Sequence, residues 1–280
     1  MKNFFYFLCL SAFILSSSTA NALVKEKSNT INQAVYIEAT SFTDYPPFGQ
    51  QNSDALYIKT IFTPFLDMLG ENGKHSIMVK GGETYKTLVF KVVEGEINVL
   101  LGAYYDTRMY DGLELLYPSI VNNPIVAVTL TDGDFNITSK KDLKNLRGAI
   151  DSREYVSDYV QKEMQKLNVK KYDDSYKLYE QLFVGNIDYI LTSRYYGAIE
   201  QAKMGIRNMV NMPKTAIWDM PLFIAVSNIN KNSEKTRNTI KAILKKEGGN
   251  LEKQINQLIK DIIRKTDEMY QGVVPPSFVK

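Results

Sequence analysis

One loop of this chain places an arginine beside two tyrosines, directly after a short apolar segment. Residues 97–101 predict a strand buried on both faces, and Tyr104, Tyr105 and Arg108 follow it. Arginine offers a planar cation, and tyrosine rings offer flat surfaces for stacking. Because ligands of open α/β sheets bind at the carboxyl ends of strands, this loop is the first place where the sequence predicts a site.

A second copy of the same pattern occurs later in the chain. Gly95 and Gly185 each follow a predicted helix and precede an apolar strand, and the second strand leads to Ser193, Arg194 and a tyrosine pair. Glycine is the residue that most easily takes the left-handed cap at a helix end. Such junctions recur in any α/β protein, but here both strands are followed by a tyrosine pair and an arginine. Two copies of this pattern favour two similar lobes.

The first predicted strand covers residues 34–40, and an aromatic loop that contains two prolines follows it. Its core is Tyr45-Pro46-Pro47-Phe48, and the two prolines fix the backbone dihedrals there. Tyr45 and Phe48 are therefore held at the carboxyl end of a strand. Packing in the core is the alternative, but a rigid loop at this position also suits a ligand wall.

The residues needed for catalysis or metal binding are scarce. His75 is the only histidine and Cys9 the only cysteine, and there is no G-x-S-x-G elbow. Acid–base chemistry would have to use Asp106, Asp151 or Glu154. The alternative interpretation of these three residues is that they are exposed acids on the surface. We predict no enzyme activity, no metal and no cofactor.

The N-terminus has the three parts of a secretory signal peptide. Lys2 is followed by an apolar run, Phe4 to Leu15, and then by Ala20-Asn21-Ala22. We predict a signal peptide over residues 1–22, which would remove the cysteine, and a soluble exported protein, periplasmic in a Gram-negative host. The near-balanced charge, 34 basic against 31 acidic residues, argues against nucleic acid as a partner.

Periodicity predicts several helices around these sites. One runs from Ser53 to Gly70 with a kink or break at Pro64, and another follows Asp151 and offers free N–H groups to an anion. A helix from Ser233 is predicted to stop at the glycine pair 248–249. A second helix and a loose C-terminal tail are predicted to follow.

Six segments, in order, resemble the periplasmic solute-binding proteins of the amino-acid (family 3) type, which serve ABC importers. No single segment is specific, but together they cover nearly the whole mature chain. The segments are Thr43-Asp44-Tyr45-Pro46-Pro47-Phe48, Val93-Glu94-Gly95-Glu96-Ile97-Asn98, Thr107-Arg108 with Tyr117-Pro118, Asp142-Leu143-Lys144-Asn145-Leu146, Gly185-Asn186-Ile187-Asp188 and Pro221-Leu222-Phe223-Ile224-Ala225.

The resemblance implies an α/β fold of the type II periplasmic-binding-protein kind, with two lobes, each a mixed sheet flanked by helices. Two hinge crossings are expected near residues 119–123 and 219–223. Lobe 1 would comprise 23–120 plus 221–280, and lobe 2 would comprise 121–220. The resemblance further implies a monomer that captures a small polar ligand and hands it to a membrane permease.

In that family an arginine at the position of Arg108 grips the ligand's carboxylate. A guanidinium pairs with a carboxylate through two parallel hydrogen bonds, whereas a solvated surface arginine is the alternative. The full set of predicted ligand-binding residues is Arg108, Tyr45, Phe48, Tyr104, Tyr105, Ser152, Arg153 and Ser193.

Three departures from the family pattern bear on the ligand. The segment before Arg108 is one residue shorter and lacks a glutamate, residues 151–154 do not reproduce the family's Gly-Ser/Thr-Thr anchor, and Ser193 stands where an acid usually holds an ammonium group. A carboxylate or other polar metabolite therefore fits as well as an α-amino acid. A periplasmic enzyme on the same scaffold, such as a dehydratase, and a sensing module without transport are the alternative functions.

Overall fold

The computed structural model describes residues 36–42, 45–49, 61–73, 76–80, 83–133 and 135–279, and the predicted signal peptide lies outside them. Within these residues, ten strands form two five-stranded sheets. The strands are β1 Tyr36–Thr40, β2 Ser76–Lys80, β3 Val99–Tyr104, β4 Leu113–Asn122, β5 Ile125–Leu130, β6 Gly148–Asp151, β7 Val169–Tyr172, β8 Tyr189–Ser193, β9 Val210–Asn211 and β10 Pro221–Ser227.

Six α-helices accompany the sheets in this described part, together with two 3-10 helices, Tyr105–Met109 and Lys140–Leu143. None of these helices is both long and apolar enough to span a bilayer. The α-helices are α1 Thr63–Gly73, α2 Tyr85–Val93, α3 Asp158–Met164, α4 Ser175–Phe183, α5 Arg194–Lys203 and α6 Ser233–Met269.

Both sheets are mixed, as predicted. The first has the order β2-β1-β3-β10-β4, in which β10 runs antiparallel to both neighbours. The second has the order β7-β6-β8-β5-β9, in which β6 is parallel to β7 and β8 while β5 is antiparallel to β8 and β9. We call the elements around the first sheet lobe 1 and those around the second sheet lobe 2.

The chain passes between the sheets twice. It leaves β4 for β5 through Asn123 and Pro124, and it returns from β9 to β10 through residues 212–220. The two crossings run side by side, because the N–H of Asn123 donates to the carbonyl of Met220 at 2.9 Å. This pairing places the crossings beside the predicted positions. The lobe boundaries of the sequence analysis stay a prediction.

The repeated junction has the predicted geometry. Gly95 and Gly185 end α2 and α4 with φ of +76° and +77°, a conformation that other L residues rarely adopt. After each glycine the chain enters a buried strand, β3 or β8. Both strands end at the side of their sheet where a site was predicted.

Two helix predictions are wrong in their limits. Helix α1 begins at Thr63, so Pro64 lies in the first turn, where its missing N–H costs nothing and no kink is needed. Residues 53–60 of this predicted helix lie outside the described part. Helix α6 is continuous through Gly248 and Gly249, because its buried stripe continues on both sides of the glycine pair, for example at Leu244 and Leu251.

The C-terminal tail is also not loose. The ring of Phe278 packs on Tyr176 and Phe183 of α4, with ring centroids 4.8 and 5.6 Å apart. An Arg207–Asp267 ion pair joins the end of α6 to the residues after α5. Apolar contacts at the end of the chain therefore tie the tail to lobe 2.

Candidate functional site

Residues 152–157 connect β6 to α3, and we call them the 152–157 segment. The segment is irregular, although periodicity predicted a helix soon after Asp151. The side chain of Ser157 accepts a hydrogen bond from the N–H of Val160 at 3.3 Å and so caps α3, which starts only at Asp158. The segment is thereby left free of helical hydrogen bonding and contacts lobe 1.

Glu154 of this segment is bound from both lobes. Its Oε2 accepts a 2.6 Å hydrogen bond from the hydroxyl of Tyr45 in lobe 1. Its Oε1 accepts from the N–H of Ser193 at 2.9 Å and from the hydroxyl of Thr192, both in lobe 2. The carboxyl group is almost completely buried, and burial, which outweighs these hydrogen bonds, raises the pKa of Glu154 to about 7.

Tyr155, the next residue, inserts its ring among aromatic side chains of lobe 1. Its ring centroid lies 5.3 Å from that of Phe42, 5.0 Å from that of Tyr45 and 5.5 Å from that of Tyr85. The hydroxyl of Tyr104 donates to the carbonyl of Tyr155 at 2.6 Å. We call the four lobe 1 residues Phe42, Tyr45, Tyr85 and Tyr104 the aromatic pocket.

A glycine in β3 makes room for this pocket. Gly102 has φ of +82°, and a Cβ at this position would lie 2.6 Å from Cε2 of Phe42. Phe42 in turn stacks on Tyr85, with centroids 4.6 Å apart and an interplanar angle of 10°. The absence of a side chain at Gly102 therefore allows the rings of the pocket to pack.

A third contact between the lobes lies at the start of α3. The carboxylate of Asp106, in the 3-10 helix after β3, accepts a hydrogen bond from the N–H of Asp158. Burial raises the pKa of Asp106, and the backbone hydrogen bond opposes this rise. The helix start that was predicted to receive an external anion instead receives the protein's own carboxylate.

A cavity of about 590 Å³ lies between the two lobes beside the 152–157 segment. This volume falls within the roughly 300–1,000 Å³ typical of small-molecule sites. Its wall carries side chains of both charge signs: the basic Lys86 and Lys171, and the acidic Asp106 and Asp158. The further lining residues that the site uses are Tyr85, Tyr104, Ser152, Glu154 and Tyr155.

Four of the predicted site residues come together at the contact between the lobes. Tyr45 is fully buried and stacks on Phe48, with centroids 5.9 Å apart, and on Tyr196 of lobe 2 at 5.2 Å. Tyr104 lines the cavity. Ser193 holds Glu154 through its N–H and donates from its hydroxyl to Oδ1 of Asn123 on the crossing.

The other four predicted residues have different surroundings. Ser152 is exposed and lines the cavity, whereas Tyr105 does not line it and contacts Phe223, with centroids 6.2 Å apart. Arg153 binds Asp151 within lobe 2 through Nε at 3.0 Å and Nη2 at 2.6 Å. Arg108 lies in the 3-10 helix after β3, and its side chain lies outside the described part of the chain.

Sequence reasoning missed the binding partners that the 152–157 segment supplies. Glu154 was considered only as an acid for an enzyme, and Tyr155 only as one face of a helix. The available signal was Ser157, because serine favours a helix start at its position and so leaves the residues before it outside the helix.

The fold is that of the two-lobe, type II periplasmic binding proteins, which confirms the predicted fold. No family model matches this chain, and no curated protein matches it in sequence. Solved structures do match in fold.

Three of these structures illustrate the likeness. The amino acid ABC transporter substrate-binding protein AbpA from Streptococcus pneumoniae, bound to L-arginine, has a TM-score of 0.60 and 10% identity, over 82% of this chain and 95% of that one. A variant of ArgBP from T. maritima has a TM-score of 0.58 and 16% identity, over 79% and 94%. The GluR0 ligand-binding core with L-glutamate has a TM-score of 0.56 and 14% identity, over 85% and 98%.

Proposed function

We propose that this chain is an extracytoplasmic solute-binding protein that captures a small polar metabolite between its two lobes. The observation that carries the proposal is the cavity between the lobes, with Tyr104 and Asp106 on one side and Ser152 and Glu154 on the other. Closing two lobes on a solute removes water from its polar contacts and strengthens each of them.

The proposed solute carries a carboxylate and is an amino acid or a related metabolite. Arg108 follows the strand end that borders the cavity, and a guanidinium suits a carboxylate. Two of the structural neighbours bind amino acids: AbpA is bound to L-arginine and the GluR0 core to L-glutamate. We further propose the boundaries 23–120 plus 221–280 and 121–220 for the lobes, export to the periplasm, a monomer, and delivery of the solute to an ABC permease.

An enzyme on this scaffold is a weaker candidate. Glu154 has a pKa near neutrality, as a general acid or base requires. Its two oxygens, however, already accept hydrogen bonds from Tyr45, Thr192 and Ser193, which suits a group that holds the lobes together. Turnover of a bound metabolite that is lost in Glu154→Gln would favour the enzyme.

The proposal is tested by thermal unfolding in the presence of L-arginine, L-glutamate, other amino acids, dicarboxylates and sugars. A true ligand at a hundredfold excess over its dissociation constant adds about 2.7 kcal/mol to the free energy of unfolding. We expect at least one of the acids to do so. If only sugars stabilise the protein, the carboxylate assignment is wrong.

A pair of arginine variants tests the role of Arg108. Arg108→Ala is expected to lose the stabilisation by the solute while it stays folded. Arg264→Ala, on the exposed surface of α6, serves as the matched control and should bind as the parent does. Equal binding by both variants would contradict a carboxylate clamp at Arg108.

A further inference from the structure

Tyr155 belongs to lobe 2, but its ring lies inside the aromatic pocket of lobe 1. Tyr45 and Tyr85 meet it edge to face, at interplanar angles of 83° and 62°, and Phe42 meets it at 56°. Rings in such arrangements attract one another through the positive edge of one and the negative face of the other. The pocket therefore has the shape and the electrostatics to hold a flat ring.

The pocket can be reached from the cavity. Tyr155 is only partly buried, and it lines the cavity together with Tyr85 and Tyr104. A molecule in the cavity thus lies against the face of the protein where Tyr155 enters the pocket. Tyr155 leaves the pocket whenever lobe 2 moves away from lobe 1, because every residue of the pocket belongs to lobe 1.

We propose that the aromatic pocket is a subsite for a planar ring of the solute, and that Tyr155 occupies this subsite when no solute is bound. The inference rests on the proposed function and names a class of solute for it. The solute carries a flat ring, and a polar atom near the ring accepts a hydrogen bond from the hydroxyl of Tyr104, as the carbonyl of Tyr155 does.

A consequence is that Tyr155 and the solute compete. The measured dissociation constant is the intrinsic one divided by the fraction of molecules in which the pocket is open. Removing the ring of Tyr155 opens the pocket permanently, so ring-bearing molecules bind more tightly to such a variant. Molecules without a planar ring gain nothing.

The test uses p-cresol, which reproduces the tyrosine side chain, and 4-methylcyclohexanol, which matches it in size but is not flat. Tyr155→Ala is expected to bind p-cresol about tenfold more tightly than the parent does, and to bind 4-methylcyclohexanol no better than the parent. Tyr159→Ala, on the exposed surface of α3, is the matched control and should behave as the parent. Binding is measured by titration calorimetry and thermal unfolding.

Two results would overturn the subsite: no gain in p-cresol binding by Tyr155→Ala, or an equal gain for both molecules. If Tyr155→Ala does not fold, refolding is repeated with each molecule present, and recovery with p-cresol alone supports the subsite while no recovery contradicts it. The solute screen of the parent protein is independent of this test. If no solute of the screen stabilises the parent but Tyr155→Ala binds p-cresol more tightly, the proposed function is contradicted and the subsite is still supported.

Discussion

The hydroxyl of Tyr45 donates a 2.6 Å hydrogen bond to Oε2 of Glu154, and this bond joins the loop after β1 in lobe 1 to the 152–157 segment of lobe 2. Both side chains are almost completely excluded from solvent. Hydrogen bonds to buried charged groups are among the strongest polar contacts in proteins. The pair therefore contributes directly to the closed arrangement of the lobes.

Tyr45→Phe removes this hydrogen bond and leaves the ring contacts in place. Loss of a hydrogen bond to a charged group costs roughly 1.5–3 kcal/mol, so we expect a decrease of that order in the free energy of unfolding at pH 8. Urea denaturation measures it. Tyr117→Phe, whose ring is 58% exposed, is the control and should change little. Equal stability of the two variants would show that the bond contributes nothing.

Burial of Glu154 predicts a pH dependence of stability. The pKa of its carboxyl group rises from 4.5 to about 7 on folding. In this window the native state binds more protons than the unfolded chain, so the free energy of unfolding falls as the pH rises. The contribution of Glu154 amounts to about 3 kcal/mol between pH 4 and pH 8.

Glu154→Gln isolates this contribution. The groups that face the carboxyl, which are Tyr45, Thr192, Ser193 and the nearby charge of Asp151, are kept in the variant. We expect the free energy of unfolding of the parent to fall by about 3 kcal/mol more than that of the variant from pH 4 to pH 8. Parallel pH profiles would mean that Glu154 titrates normally.

Two glycines with positive φ, Gly185 and Gly102, separate backbone strain from steric clash. Position 185 has a positive φ and open space around it, so Gly185→Ala should lower the free energy of unfolding by about 1–2 kcal/mol through backbone strain alone. Gly102 also has a positive φ, and Gly102→Ala in addition drives a methyl group into Phe42, which should add roughly 1–3 kcal/mol to the loss. If the two variants are equally stable, Gly102 is not needed to shape the aromatic pocket.

Gly249→Ala tests the continuity of α6. Gly249 is exposed in mid-helix with open space around it, so alanine should raise the free energy of unfolding by about 1 kcal/mol. Thermal unfolding followed by circular dichroism measures the change. A loss of stability would indicate that the helix ends at the glycine pair, as the sequence alone predicts.

The features that depend on local rules could be predicted from the sequence. The capping glycines Gly95 and Gly185 and the buried strands β3 and β8 follow from residue type and periodicity, and the two crossings follow from the resemblance to a known family. Strand ends then place Tyr45 and Tyr104 near one another, because parallel neighbours end at the same edge of a sheet.

The contacts that depend on how the lobes meet could not be predicted. The spacing of Tyr155 and Val156 fits a helix face, and the packing of Tyr155 against lobe 1 adds to the Ser157 cap as a reason why these residues stay outside the helix. Burial of a helix stripe likewise stabilises α6 through two glycines whose propensities predict a break. Tertiary contacts outweigh local preference in both places.

The most direct test of solute binding between the lobes is native mass spectrometry of a variant whose cavity is obstructed. Ser152 is exposed and lines the cavity, so Ser152→Trp should place a bulky ring in it without disturbing the core, and Lys177→Trp on the exposed face of α4 is the control. After incubation with the solute panel, we predict a bound small molecule on the parent and on Lys177→Trp, and none on Ser152→Trp. A molecule retained by Ser152→Trp at the parental level, or none on the parent, would contradict binding between the lobes.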